Sequence, residues 1–553
     1  MRQPQLSLGR LGLQTFRVIR KTLEADINRT HLLCSGTVIG SVSFLLAACG
    51  GNSSGDSQVG AASAASVCAK LNGATTGGVA GLSAKVIPAT STAPTYCQVT
   101  GTIPPQLGIE IRLPDDWNGK LYYQGGSGMD GSIPDLPVGA LTKGYAEVGS
   151  DGGHKGNAFD ASFALNDPLA LNMWGHLSIP TALSSAKEVV RDAYGRFPDR
   201  SYFDGCSTGG REALMTVQRY PTLFDGVIAG DPSYDFVGLI GWFNRNAKAL
   251  AAPGGALTSA KLQLLSQAVL QKCDALDGVV DGIVSNPAAC SKSGFDPRAL
   301  RCAGGGDSGN TCLSDAQLNS IASLTTTAQF GTAPNTYTQV GHPFTGNEAT
   351  QWLAGSAGAK GDGDYTVSAG YLFEDTIIKN IIARNPAVNP LTFTYDQDLN
   401  ALFSTASIVN ATSTDIRPFI NNGGKLIMWH GGSDDFYPAQ GTANYYDAMV
   451  SAVGGKSVAD SAVRLYIPPG VGHCGNGPGA APADSDLLQS LDDWVTKSIS
   501  PGTRFATKLT PSGDTAFTRP LCQYPTYPRY TGPADDAAAA KLARNYTCTA
   551  PSP

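Results

Sequence analysis

The run Gly205-Cys206-Ser207-Thr208-Gly209 constrains this chain more than any other segment. It has the form G-x-S-x-G, which is weak evidence alone in a chain with 66 glycines, so its surroundings decide. Ser201-Tyr202-Phe203 before it reads as a short strand, and Arg211 to Tyr220 after it as a helix. Glycines permit a turn sharp enough to push a serine hydroxyl out of the sheet edge. The helix N-terminus then favours negative charge developing beside it. Ser207 is therefore the candidate nucleophile, and a strand-turn-helix unit is the local frame it requires.

The rest of the chain repeats that frame. Ile109-Glu110-Ile111-Arg112-Leu113 alternates like a half-buried strand, and Lys120 to Tyr123, Tyr145 to Gly149, Phe224 to Gly230, Lys425 to Trp429 and Arg464 to Ile467 read as further strands. Ser178 to Arg196 and Asp484 to Ile499 carry helical patterns. Strands alternating with helices predict a mostly parallel sheet covered on both faces, an α/β fold. Between Gly230 and Lys425 lie almost 200 residues that such a sheet does not need. A structureless loop of that length is implausible, so residues 233–412 read as an inserted lid domain splitting a core of residues 67–232 and 413–553.

A serine at its ordinary pKa needs a base. Of the histidines, His473 lies in the loop after the last strand, and His430 follows an earlier one. The α/β-hydrolase order is Ser, acid, His, which makes His473 the base and His430 a structural hydrogen-bonder. The loop Gly431-Gly432-Ser433-Asp434-Asp435 delivers the acid, as Asp434 or Asp435. Asp434 is the preferred one, with the other expected to be a solvated loop carboxylate. The acid fixes the imidazole tautomer and stabilises the imidazolium.

The N-terminus reads as an export signal. Thr37 to Ala48 is 12 uncharged residues, too short to span a bilayer, and Arg17, Arg20, Lys21 and Arg29 precede it. Leu46-Ala47-Ala48-Cys49-Gly50 resembles the lipobox of bacterial lipoproteins, which implies lipidation at Cys49 and anchoring to a bacterial membrane. The alternative is a leader simply cleaved near Ala48. Residues 1–49 are thus a leader and 50–66 a small, polar, flexible tether. The expected location is the periplasm, the outer membrane or the medium. Export leaves ten cysteines in an oxidising compartment. Proximity suggests Cys68–Cys97, Cys273–Cys290, Cys302–Cys312 and Cys522–Cys548, and leaves Cys206 and Cys474 over.

Cys206-Ser207, Asp434 and His473-Cys474 resemble the CS-D-HC motif of the tannase/feruloyl esterase family, which includes bacterial mono(hydroxyethyl) terephthalate hydrolases. The likeness covers about 66–550 and takes in Asp151-Gly152-Gly153-His154. It implies an α/β-hydrolase core with a large lid, and a disulfide between Cys206 and Cys474. An oxyanion hole needs two backbone N–H groups, one from Thr208 and one from the run Gln124-Gly125-Gly126-Ser127-Gly128. The resemblance favours Gly126, with Gly125 as the alternative.

Between Lys272 and Lys292 three carboxylates, Asp274, Asp277 and Asp281, have no basic residue to neutralise them. Hard oxygen ligands on a Gly-containing loop suit Ca²⁺, although the spacing is not that of an EF-hand. The resemblance implies a structural calcium held by those side chains and the carbonyls of Val279 and Ile283. Paired C-x-x-C and H-E-x-x-H motifs are missing, which argues against zinc.

The chain therefore reads as an exported serine esterase for small aromatic esters of feruloyl, galloyl or terephthalate type. A serine peptidase or acyltransferase could use the same triad. A non-catalytic binding module would lack a triad member, and all three are here. Lys plus Arg total 39 against 45 Asp plus Glu, and a net charge of −6 without a basic run argues against nucleic acid as a partner.

Overall fold

Along the strands, successive side chains fall into two different apolar layers, as a period of two requires. Leu121, Tyr123, Phe203, Val227, Ala229, Leu426 and Met428 are buried in one; Tyr122, Tyr202, Ile228, Ile427 and Trp429 in the other. The strands concerned are β4 (Lys120–Gln124), β6 (Arg200–Cys206), β7 (Gly226–Gly230) and β10 (Lys425–Trp429). With β1 (Ser83–Ile87), β2 (Tyr96–Ile103), β3 (Leu107–Pro114), β5 (Ala146–Ser150) and β11 (Val463–Tyr466) they form a nine-stranded sheet, ordered β1-β2-β3-β5-β4-β6-β7-β10-β11. From β5 to β11 every pairing is parallel, and from β1 to β5 every pairing is antiparallel. This is the α/β-hydrolase arrangement.

The computed structural model describes residues 63–332, 335–358, 360–482, 486–534 and 536–551. The leader, Cys49 and the tether as far as residue 62 lie outside them. The end of that tether needs correcting. A helix starts at Ala64 and runs to Leu71, burying Ala64, Val67 and Leu71, with Ser63 capping its first turn. One sheet face is covered by Ser178–Tyr194, Thr208–Arg219 and Ala439–Val453, the other by Leu487–Lys497. All five expected disulfides form, with Cα separations of 4.9 to 5.8 Å.

The segment between β7 and β10 supplies most of a second apolar cluster, around Trp242, Leu262, Leu265, Ile321, Trp352 and Ile377. Its main helices are Phe236–Ala251, Ser259–Cys273, Asp315–Thr325, Ala369–Ile377 and Leu399–Val409, with a hairpin of β8 (Ala328–Thr332) and β9 (Asn335–Gln339). The same cluster takes in Met129, Leu171 and Trp174 from the sheet-bearing part, and the described residues belong to one compact unit. After the last helix, β12 (Arg504–Leu509) pairs with β13 (Thr515–Leu521), and β14 (Tyr527–Tyr530) with β15 (Tyr546–Thr549).

Candidate active site

Register sets the site. Cys206 at the end of β6 lies opposite Gly230 at the end of β7, and Gly230 lies opposite Trp429 at the end of β10. The next residues, Ser207, Asp231 and His430, therefore emerge side by side from the C-terminal edge of the sheet, where open α/β sheets place their ligands. Ser207 sits at φ 63°, ψ −118°, a conformation that L residues avoid. Close contact makes the flanking glycines necessary. A Cβ on Gly205 would lie 2.6 Å from the Gly209 carbonyl, and one on Gly209 would lie 2.9 Å from the Gly126 oxygen.

The imidazole of His473 meets Asp434, not Asp435: Nδ1 is 2.8 Å from Asp434 Oδ2. The other oxygen, Oδ1, accepts the N–H groups of Phe436 at 2.7 Å and Tyr437 at 3.2 Å. Burial would push the Asp434 carboxyl up, but His473 and His430 hold it well below the usual range. Burial alone would lower His473; the charge of Asp434, with Asp231 and Asp435 behind it, holds it up at about 9. Asp435 is buried rather than solvated, which corrects the sequence expectation, and burial with the Asp434 charge pushes it up to about 7. His430 bonds Thr442 Oγ1 at 2.7 Å through Nδ1, and its Nε2 lies 3.1 Å from the Tyr437 carbonyl and 3.3 Å from Asp434 Oδ2.

Two residues that sequence reasoning missed complete this centre. Asp231 accepts the N–H of Gly431 on Oδ1 and that of Cys474 on Oδ2, both at 2.7 Å. It thereby ties the acid loop to the base loop beside the Cys206–Cys474 bond. Burial pushes Asp231 up to about 6 despite the pull of His430. The Tyr437 hydroxyl lies 2.8 Å from the Asp231 carbonyl and 3.3 Å from Ser207 Oγ, and its ring meets His473 edge-on at 5.2 Å between centroids. The ring of Phe436 stacks on His473 at 4.4 Å. The available signal for both was position, Asp231 directly after β7 and Tyr437 three residues beyond Asp434.

Thr208 is the first residue of its helix, so its N–H has no partner within that helix. The second oxyanion donor is a correction. The Gly125 N–H donates to the Asp204 carbonyl at 2.8 Å and the Gly126 N–H to Glu212 Oε2 at 2.9 Å, so both are already bonded within the protein. Glu212 reaches the loop from the helix after the nucleophile, a contact invisible in linear order. The Ser127 N–H donates to the Asp130 carboxylate, and among the described residues the Gly128 N–H has no such partner.

The acidic loop lies apart from this centre. Asp274 and Asp277 are buried and accept backbone N–H groups from Gly282 and Ser285 at 3.0 and 2.7 Å. Burial pushes Asp277 up to about 7 with no basic side chain to oppose it. Asp281 does have a countercharge, since Arg519 of β13 pairs with it, which sequence proximity could not show. The Val279 and Ile283 carbonyls accept no hydrogen bond among the described residues. Two buried carboxylates and two carbonyls are oxygen donors of the kind a hard divalent ion takes, although the side chains of Asp274, Asp277 and Asp281 do not converge within 4.8 Å of one another.

Comparison with known proteins agrees with this geometry. A family model described as tannase and feruloyl esterase matches residues 90–549. The mono(2-hydroxyethyl) terephthalate hydrolase of Piscinibacter sakaiensis is 33% identical over 547 residues, covering 84% of this chain and 87% of its own. Among solved structures, feruloyl esterase B from Aspergillus oryzae superposes with a TM-score of 0.76 at 22% identity, covering 87% of this chain and 99% of that one. The tannin acyl hydrolase from Aspergillus niger gives 0.69 at 22% identity over 88% and 96%. The chain belongs to the tannase and feruloyl esterase family.

Proposed function

We propose that this carboxylic ester hydrolase cleaves small esters of aromatic carboxylic acids through Ser207, His473 and Asp434. The observation that carries the reading is the 2.8 Å contact of His473 Nδ1 with Asp434, beside a serine held at a strained elbow. With Nδ1–H given to Asp434, Nε2 is the basic nitrogen. The Ser207 oxygen adds to the ester carbonyl as its proton passes to Nε2. Collapse of the intermediate breaks the bond to the alcohol, which leaves with that proton. Water then adds to the acyl-enzyme by the same route and releases the acid. The N–H groups of Thr208 and Gly128 are the donors for the transient oxyanion.

Feruloyl, tannin acyl and terephthalate groups, which appear in the names of the relatives, support an aromatic acyl group. Methyl ferulate, methyl gallate and mono(2-hydroxyethyl) terephthalate assayed side by side would identify the class, with Ser207→Ala as control. Turnover of none of the three, or turnover surviving in Ser207→Ala, would overturn the reading.

A structural Ca²⁺ held by Asp274, Asp277, Asp281 and the carbonyls of Val279 and Ile283 belongs to the same proposal, and so do export and acylation at Cys49. Five disulfides support an oxidising compartment, and among the described residues no helix is long and apolar enough to cross a membrane.

A further inference from the structure

Three hydrogen bonds join the Gly125–Gly128 loop to the helix that follows the nucleophile. The Gly209 N–H donates to the Gly126 carbonyl at 3.0 Å, Thr208 Oγ1 donates to the Gly128 carbonyl at 2.6 Å, and the Gly126 N–H donates to Glu212 Oε2 at 2.9 Å. The first two come from groups next to Ser207. The third is accepted by a side chain more than a turn further on.

That side chain sits in an unfavourable place. Glu212 is 3% exposed, and its other oxygen, Oε1, has no partner among the described residues. Asp130 presses on the same glycine: a Cβ on Gly126 would lie 2.4 Å from Asp130 Oδ2. Asp130 is also buried, with Oδ1 unpartnered. Its burial and the nearby Glu212 charge hold the Asp130 carboxyl well above the usual range. The adjacent cation does not bond to Glu212. Arg211 gives its hydrogen bonds to the carbonyls of Gly175, Val409 and Trp174 and lies over the Trp174 ring. An apolar residue at position 212 would avoid the cost of burying a carboxyl group. What Glu212 has that an apolar residue lacks is its grip on Gly126.

We propose that Glu212 is a positioning residue for ester hydrolysis: by taking the Gly126 N–H, as Asp130 takes that of Ser127, it fixes the loop so that the Gly128 N–H is the donor left to the oxyanion. This rests on the serine-esterase reading above. The loop then needs no rearrangement when charge develops, which is the condition under which such donors act most strongly.

Two conservative variants separate positioning from a charge or packing role. Glu212→Gln keeps the length and an acceptor but loses the charge. Glu212→Asp keeps the charge but is one methylene too short to reach. Positioning predicts that Glu212→Asp loses about 100-fold in kcat, with KM within about threefold, while Glu212→Gln loses no more than about fivefold. Glu212→Asp within about threefold of the parent, or Glu212→Gln falling as far as Glu212→Asp, would overturn it. If either variant fails to fold, deuterium uptake of the parent decides. The Gly126 amide should be protected for minutes or longer, and exchange at the rate of a free loop amide would sink the proposal. Ser207→Ala in the same assay keeps the two readings apart. An inactive Ser207→Ala beside an unimpaired Glu212→Asp removes only the role of Glu212, whereas an active Ser207→Ala removes the serine mechanism itself.

Discussion

The backbone N–H of Cys474 donates to the carboxylate of Asp231 at 2.7 Å, so the residue after the base is anchored to the residue after β7. The same carboxylate holds Gly431 in the acid loop. Asp231→Ala should strand two N–H groups and cost about 3 kcal/mol of stability. It should also lower kcat at least tenfold by loosening both loops. Thermal unfolding and steady-state kinetics check this, and an unchanged kcat would show that Asp231 does not organise the site.

Ser207→Ala and His473→Ala should each lower kcat by several orders of magnitude without unfolding the protein. Asp434→Asn should be severe, about 10⁴-fold, because the amide favours the wrong imidazole tautomer. Asp435→Asn should be mild, since its neighbour and not Asp435 bonds the imidazole. The reverse ranking would move the acid to Asp435.

The pH profile has a definite sign. The base works when neutral, and the carboxylates around His473 hold its pKa up at about 9. Values of kcat/KM should therefore climb through the neutral range and level off only above about pH 9. Asp434→Asn removes the nearest negative charge and should move the rise to lower pH while reducing its height. A parental profile already flat at pH 7 would contradict this account.

Cys206→Ala/Cys474→Ala removes a bond that closes 268 residues and ties nucleophile to base. Chain entropy gives such a bond several kcal/mol, with about 2–4 more usual in practice. The larger effect should fall on kcat, because displacing the imidazole by about 1 Å can cost about 100-fold. Cys522→Ala/Cys548→Ala, between β13 and β15, should affect melting and spare the rate. Free thiols at Cys206 and Cys474 in peptide mapping would sink the argument.

Chelation should lower the melting temperature, because the buried carboxylates of Asp274 and Asp277 are left without a countercharge once a cation is withdrawn. Elemental analysis after native purification should find one calcium per chain. No calcium, together with melting indifferent to EDTA, would remove the ion from the account.

Much of the site could be read from the order of residues because it is written as local punctuation. Ser207 announces itself by glycines that have no room for a side chain, and His473 by its place after the last parallel strand. What could not be read depends on side chains arriving from elsewhere. Gly126 looked like a free donor until Glu212 reached across to it, and Asp281 looked unpaired until Arg519 came in from β13. The two C-terminal hairpins were missed for a similar reason. Their strands are mostly half-exposed and lack a clean alternation, so they carry no strong periodic signal.

The long excursion between β7 and β10 leaves and rejoins the sheet at strands that lie side by side, with Gly226 to Gly230 opposite Lys425 to Trp429. The ends of the excursion are pinned directly to each other, since the Asp231 N–H donates to the Trp429 carbonyl at 2.9 Å. Its length therefore never enters the separation between nucleophile and acid. Doubling a loop whose ends already meet costs only about 0.6 kcal/mol in closure entropy. A lineage can thus enlarge, trim or replace this appendage while the reacting groups stay in register. Grafting the corresponding segment of a relative between Asp231 and Lys425 should for that reason leave the reacting groups in register.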